Sequence, residues 1–235
     1  MLMSAARTRP ELRAMVDRRI AGEPLEHILG WAEFCGLRIA VEPGVFVPRR
    51  RTEFLVQQVA ALARPTCVVV DLCCGSGAIG VALLQRMPDI ELYATDITSA
   101  AVQCARRNLA DRARVCQGDL YQALPSDLAG RTDLVVCNAP YVPTDAVEYM
   151  PSEARLHEPL PALDGGTDGL DVLRQVIVEA THWLTPGGHL LVEIGEDQSE
   201  NVADVFSSSG LTIRVARSEE LDATVAIGQA LADES

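Results

Sequence analysis

Four short segments of this 235-residue chain carry residue types that do chemistry, and each follows an apolar run. The first is Asp71-Leu72-Cys73-Cys74-Gly75-Ser76-Gly77. Gly75 and Gly77 allow a tight turn and close backbone approach, and a helix starting there would favour an anionic group. The second is Asp96, whose carboxylate can accept the two hydroxyls of a ribose or cap the following helix. The third, Gly118-Asp119-Leu120, offers an acid for an adenine amino group and a leucine to pack on its ring, or else a helix cap with a core leucine. These three suit a dinucleotide as well as S-adenosylmethionine.

The fourth segment, Asn138-Ala139-Pro140-Tyr141, discriminates between them. The Asn138 side-chain oxygen and the Ala139 carbonyl can each accept a hydrogen bond from an NH2 group. Pro140 fixes its own φ and biases Ala139 towards extended conformations, which aims that carbonyl. Tyr141 supplies a flat face for a planar amide or base. A sulfonium methyl is electrophilic enough to need neither a strong base nor a metal. The site must hold nitrogen, methyl and sulfur in line, and such alignment supplies about 7–11 kcal/mol. The expected reaction is therefore methyl transfer from S-adenosylmethionine to a planar amide or amine nitrogen. S-adenosylhomocysteine is its second product. The expected acceptor residues are Asn138, Ala139, Pro140 and Tyr141; Asp71, Cys73, Cys74, Gly75, Ser76, Gly77, Asp96, Asp119, Leu120 and again Asn138 are expected around the cofactor. A dinucleotide oxidoreductase would leave Asn138 to Tyr141 without a role.

These segments need strands to present them. Apolar, β-branched runs at 66–72, 90–95, 113–117, 133–137 and 189–194 alternate with helical patterns at 77–87, 98–109, 169–184 and 197–208. That alternation predicts a parallel sheet covered on both faces, with ligands at the strands' carboxyl ends. Runs at 211–218 and 223–230 have no helix between them and predict an antiparallel hairpin. The expected fold is α/β: a doubly wound, seven-stranded class I methyltransferase sheet with that hairpin at its end. Ahead of it, residues 11–21 predict an amphipathic helix with Leu12, Met15, Val16 and Ile20 on one stripe. Residues 33–47 predict a hairpin turning at Pro43-Gly44, and 52–63 a further helix. The expected division is 1–47 as a short N-terminal helix and hairpin, and 48–235 as the transfer domain.

Composition narrows the classes. Hydrophobic residues make up 48% and charged residues 23% of the chain, as in globular proteins. All 20 basic residues are arginine, which excludes Schiff-base lysine and P-loop chemistry. Net charge is −13 overall. The first 64 residues are mildly basic and the remainder strongly acidic, which weighs against stable binding of nucleic acid. Seven cysteines without a CxxC pair, four histidines without ligand spacing, no apolar membrane span and no apolar leader predict a cytoplasmic protein with reduced thiols and no metal site.

With these motifs in view, the chain resembles the HemK/PrmC family of protein N5-glutamine methyltransferases. The likeness is carried by Gly22 to Gly30, Glu33 to Gly36, Pro43 to Arg49, Thr52-Glu53, Asn138 to Tyr141, and Leu163 to Gly166 with Asp168 to Asp171. It implies that Asn138 and Tyr141 grip the amide of a glutamine in a protein substrate: a release factor, as in the family, or another protein if the departures below mark a divergent branch. Nucleic-acid amino methylation at adenine N6 or cytosine N4, or a module that binds cofactor without turning over, are the alternatives. The chain departs from the family in three motifs. Asn-Pro-Pro-Tyr becomes Asn138-Ala139-Pro140-Tyr141, Asp-Leu-Gly-x-Gly becomes Asp71-Leu72-Cys73-Cys74-Gly75, and Pro48 is followed by Arg49, Arg50 and Arg51. Few residues precede Gly22, so a shortened substrate-presenting N-terminal region is expected.

Overall fold

In the computed structural model, residues 1–232 are described. Two short helices and a longer one, α1 (Leu2–Ala5), α2 (Arg9–Ile20) and α3 (Leu25–Leu29), precede a hairpin of β1 (Trp31–Phe34) and β2 (Leu37–Ala40). Then come α4 (Glu53–Leu62), β3 (Val68–Leu72), α5 (Ala78–Arg86), β4 (Glu91–Asp96), α6 (Ser99–Leu109), β5 (Arg114–Gln117) and β6 (Thr132–Cys137). After a long strap containing α7 (Ser152–His157), the chain ends with α8 (Asp171–Trp183), β7 (Leu184–Ile194), α9 (Ser199–Ser208), β8 (Leu211–Ser218) and β9 (Ala223–Ala230).

The large sheet has the order β5-β4-β3-β6-β7-β9-β8. It is parallel from β5 to β7, and β9 runs antiparallel to both β7 and β8. The expected seven strands and closing hairpin are present. Alternation along each strand divides the interior into two cores. Val69, Leu134, Leu191 and Val225 face α4, α5 and α6, whereas Val70, Leu72, Val135 and Val192 face α8 and α9. Every residue of β3 is buried, as a central parallel strand requires. The strand order reverses between β3 and β6, whose register pairs Leu72 with Cys137. The residues leaving those strands, Cys73 and Asn138, therefore emerge side by side.

Two expectations for the N-terminal region are corrected. The hairpin turns at Cys35-Gly36, with φ of 52° and 73°, not at Pro43-Gly44. Two successive residues at positive φ give the twist that tight hairpins need, and the Glu53 carboxylate holds the turn by accepting from the Cys35 N–H. The chain at Pro43-Gly44 bends within a loop, beyond which Val45 and Val47 are buried. The α2 helix exists, but its apolar stripe is not a core face: no residue of it is buried, and Val16 and Ile20 are exposed. The β1–β2 hairpin is firmly seated nonetheless. Phe34 and Ile39 join the core under α4 and α5, and Asn108 of α6 binds both Ala40 backbone groups and the Ser76 carbonyl. Among the described residues no helix is long and apolar enough to cross a membrane.

Candidate functional site

A cavity of about 340 Å3 opens at the carboxyl ends of β3, β4, β5 and β6. Of the expected residues, Cys73 to Ser76, Asp96, Asp119, Leu120 and Asn138 to Tyr141 line it; Asp71 and Gly77 do not.

The turn after β3 is held by the neighbouring strand. The Asp96 carboxylate accepts from the Gly75 N–H at 3.0 Å, and its other oxygen accepts from the Thr98 N–H and hydroxyl. Asp96 is thus a turn organiser, and Thr98 caps α6 in its place by accepting from the Ala101 N–H. Cys73, Gly75 and Gly77 have φ of 54°, 54° and 77°, the left-handed region that glycine enters most cheaply. Cys73 keeps this conformation with a side chain, and its thiol lies beside that of Cys137 and helps raise its pKa.

Asp71 stands behind the turn, fully buried beneath α5 because strand alternation sends it to that face. Neither of its oxygens has a hydrogen-bond partner among the described residues. Burial pushes its pKa up to about 8; the nearby Gly80 amide opposes the rise and the Asp96 charge adds to it. Asp71 therefore touches the cavity only through the turn that it underlies.

The opposite wall is made of side chains from distant segments. The Asn138 Nδ2 group donates to the Thr52 hydroxyl at 3.3 Å. The Tyr141 hydroxyl donates to Glu193 Oε1 at 3.2 Å, and Arg51 pairs with the same oxygen at 3.2 Å while its guanidinium lies over the Tyr141 ring at 5.5 Å. Burial, with the Glu193 charge, pushes the Tyr141 phenol well above its usual range. Glu193 itself is 2% exposed, and burial raises its pKa against the Thr52 hydroxyl, the Arg51 charge and the Tyr141 hydroxyl. Arg49 grips Glu158 of the strap at 2.5 and 2.6 Å, so the loop before α4 is latched to the segment beyond Tyr141.

The strap also braces the backbone of the tetrapeptide. Val142 and Asp164 form a parallel bridge, and Gln198 donates to the Tyr141 carbonyl at 2.9 Å. A Cβ on Gly165 would sit 2.6 Å from the Gly169 carbonyl and 2.7 Å from that of Pro140, and one on Gly169 would collide with the Tyr141 carbonyl. Gly165 and Gly169 are thus explained by close packing behind Asn138 to Tyr141.

Sequence reading missed Glu193 and Thr52 as parts of this wall. A signal existed for Glu193, a lone acid inside the apolar run of β7. None marked Thr52 as a neighbour of Asn138, because 86 residues separate them.

Residues 36–166 match the family model described as "Methyltransferase small domain". A release factor glutamine methyltransferase of Geobacter sulfurreducens is 40% identical over 201 residues, covering 84% of this chain and 70% of that one. Its namesake in Streptomyces coelicolor is 44% identical over 198 residues, covering 82% and 70%. A 4-amino-L-phenylalanine/4-methylamino-L-phenylalanine methyltransferase of Streptomyces pristinaespiralis is 38% identical over 209 residues, covering 86% and 71%. Among solved structures, a methyltransferase of Pyrococcus furiosus superposes with a TM-score of 0.64 at 16% identity, covering 94% of this chain and 98% of that one, a likeness of fold.

Proposed function

This chain belongs to the release factor glutamine methyltransferase family, and we propose that it methylates the side-chain amide nitrogen of a glutamine in a peptide chain release factor. S-adenosylmethionine is the methyl donor, and when bound it supplies an electrophilic sulfonium methyl. The cavity fits it. The turn at Cys73 to Gly77 leaves Gly75 with open space where a Cβ would be, Asp96 stands at the end of β4, and Asp119 and Leu120 stand at the end of β5.

The carrying observation is that Asn138 to Tyr141 and the glycine turn line one cavity, side by side on adjacent strands. In this reading the Asn138 oxygen and the Ala139 carbonyl accept the two protons of the substrate NH2. They orient its nitrogen towards the methyl and take up positive charge as the new bond forms. Pro140 aims the Ala139 carbonyl, and Tyr141 closes the site beside the amide. No side chain is assigned as a base; the proton leaves to water. Asp71 and Gly77 support the turn, and Cys73, Cys74, Gly75, Ser76, Asp96, Asp119 and Leu120 surround the cofactor. Residues 48–235 are proposed as the transfer unit, with the 1–47 region covering the turn through Asn108.

The test is label transfer from methyl-labelled S-adenosylmethionine to a purified release factor, with the modified residue located by mass spectrometry. One added methyl on a glutamine is the expected result. A second reading, methylation of a free aromatic amine, draws on the Streptomyces pristinaespiralis relative, whose identity is close to that of the others. Transfer to 4-amino-L-phenylalanine with an inert release factor would replace the first reading by the second.

A further inference from the structure

Two polar groups on the acceptor wall have hydrogen-bonding capacity left over, and they are neighbours. Glu193 Oε1 is engaged by Tyr141 and Arg51, but Oε2 has neither a partner nor contact with solvent. Thr52 is 3% exposed, and its oxygen accepts from Asn138 Nδ2. A hydroxyl that accepts still has one proton to give. Among the described residues that proton has no acceptor in hydrogen-bond range; Thr52 follows Arg51, which pairs with Glu193 at 3.2 Å, and the Thr52 hydroxyl is among the groups that hold the Glu193 carboxyl pKa down. The orphaned oxygen and the unspent proton match each other.

The consequence reaches Asn138. The oxygen and the NH2 of a primary amide have nearly the same shape, so packing alone sets the orientation weakly and the hydrogen-bond partners decide it. We propose that Glu193 and Thr52 are positioning residues: the carboxylate accepts a hydrogen bond from the Thr52 hydroxyl, Thr52 must then accept from Asn138, and the Asn138 oxygen is thereby turned to the acceptor nitrogen. This rests on the reading of Asn138 given above. Without the carboxylate, Thr52 can donate to the Asn138 oxygen instead, and Asn138 then presents its own NH2 to the substrate NH2, two donors facing each other. The same carboxylate, through Oε1, fixes the Tyr141 hydroxyl. One buried acid in β7 thus orients two members of the tetrapeptide from behind.

The experiment uses Thr52→Val, which removes the hydroxyl and keeps the shape, Thr52→Ser, which restores it, and Glu193→Gln. The carboxyl carbon of Glu193 is followed by 13C NMR titration, its signal assigned by its loss in Glu193→Gln. Thr52→Val raises the Glu193 pKa and Thr52→Ser leaves it at the wild-type value. In turnover, Thr52→Val and Glu193→Gln lower kcat by up to about 100-fold, the scale of a misplaced reacting group. Thr52→Ser recovers most of it. Calorimetric Kd for S-adenosylhomocysteine stays within about twofold throughout, since uniform binding is untouched. An unchanged Glu193 titration in Thr52→Val overturns the inference whatever the acceptor proves to be. So does a Thr52→Val kcat equal to wild type on any NH2 acceptor that the wild type uses. An inert release factor with wild-type protein sinks only the substrate reading, because the titration needs no substrate.

Discussion

Along the cofactor wall, the contacts that shape the cavity are donated by backbone amides of the turn. The Gly75 N–H meets the Asp96 carboxylate across 21 residues of sequence, and the Cys74 N–H meets the Thr95 carbonyl. Along the acceptor wall, they are made by side chains from segments much farther apart. Asn138 reaches Thr52 across 86 residues, Tyr141 reaches Glu193 across 52, and Arg49 reaches Glu158 across 109. A turn held through its own amides tolerates side chains, so Cys73 carries one at a φ of 54°. A wall written in side chains fails when one of them is removed. The two should therefore respond differently to substitution, one in affinity and the other in rate.

The largest effect is expected at Asn138. Asn138→Ala deletes an oxygen proposed to be engaged most strongly as charge develops, and loss of one such group costs about 10²–10³-fold in kcat. Affinity for S-adenosylhomocysteine, measured by calorimetry, should stay near wild type. Undiminished turnover, or a matching loss of affinity, would erase the distinction between the walls.

Asp96 is the counterpart on the cofactor side. Asp96→Ala removes acceptors from the Gly75 and Thr98 N–H groups as well as from a ribose, so its loss should weaken cofactor binding by about 1–3 kcal/mol. At saturating cofactor, kcat should fall far less than in Asn138→Ala. A rate defect that persists at saturation would place Asp96 with the acceptor wall.

The contrast also explains what could be read from sequence. Strand, glycine turn and helix follow one another locally, so Asp71 to Gly77, Asp96 and Asp119 could be set at strand ends from pattern alone. The 48–52 loop could not be set against β6 and β7, because nothing local encodes a meeting across the sheet. Composition also misled at the N-terminus. Pro43-Gly44 is the stronger turn dipeptide, but Cys35 adopts a positive φ that its residue type does not advertise. Leu12, Met15, Val16 and Ile20 keep helical spacing on α2, yet none of them is buried.

An effect of another kind, on stability, is expected at Asp71. Its folded pKa of about 8 exceeds the ordinary 3.8, so the folded state holds a proton that the unfolded chain releases. The contribution to stability is complete below about pH 4, declines as pH rises, and is lost once pH passes about 8. Asp71→Asn carries no ionisable group and lacks this decline. Calorimetric Tm of the two proteins should be closest in acid, with the variant gaining on wild type up to about pH 8; each kcal/mol of difference corresponds to roughly 2–4 °C. Parallel Tm curves would mean that Asp71 titrates as an ordinary carboxylate.

The smallest effect should come from Cys73→Gly, and its smallness is informative. Cys73 holds a φ of 54° with a side chain, a conformation that costs on the order of 1–2 kcal/mol outside glycine. Glycine removes that strain but gives the unfolded chain more freedom, at about 0.5–1 kcal/mol, and it surrenders the thiol contact with Cys137. These terms nearly cancel, so Tm should move by only a few degrees, roughly within the 2–4 °C that 1 kcal/mol produces. The Cys74 and Gly75 amides that meet Thr95 and Asp96 are unchanged by the substitution, so cofactor affinity should shift by less than about fivefold, under 1 kcal/mol. If affinity instead changes tenfold or more, the thiol itself contacts the cofactor, and the cofactor wall depends on its side chains as the acceptor wall does.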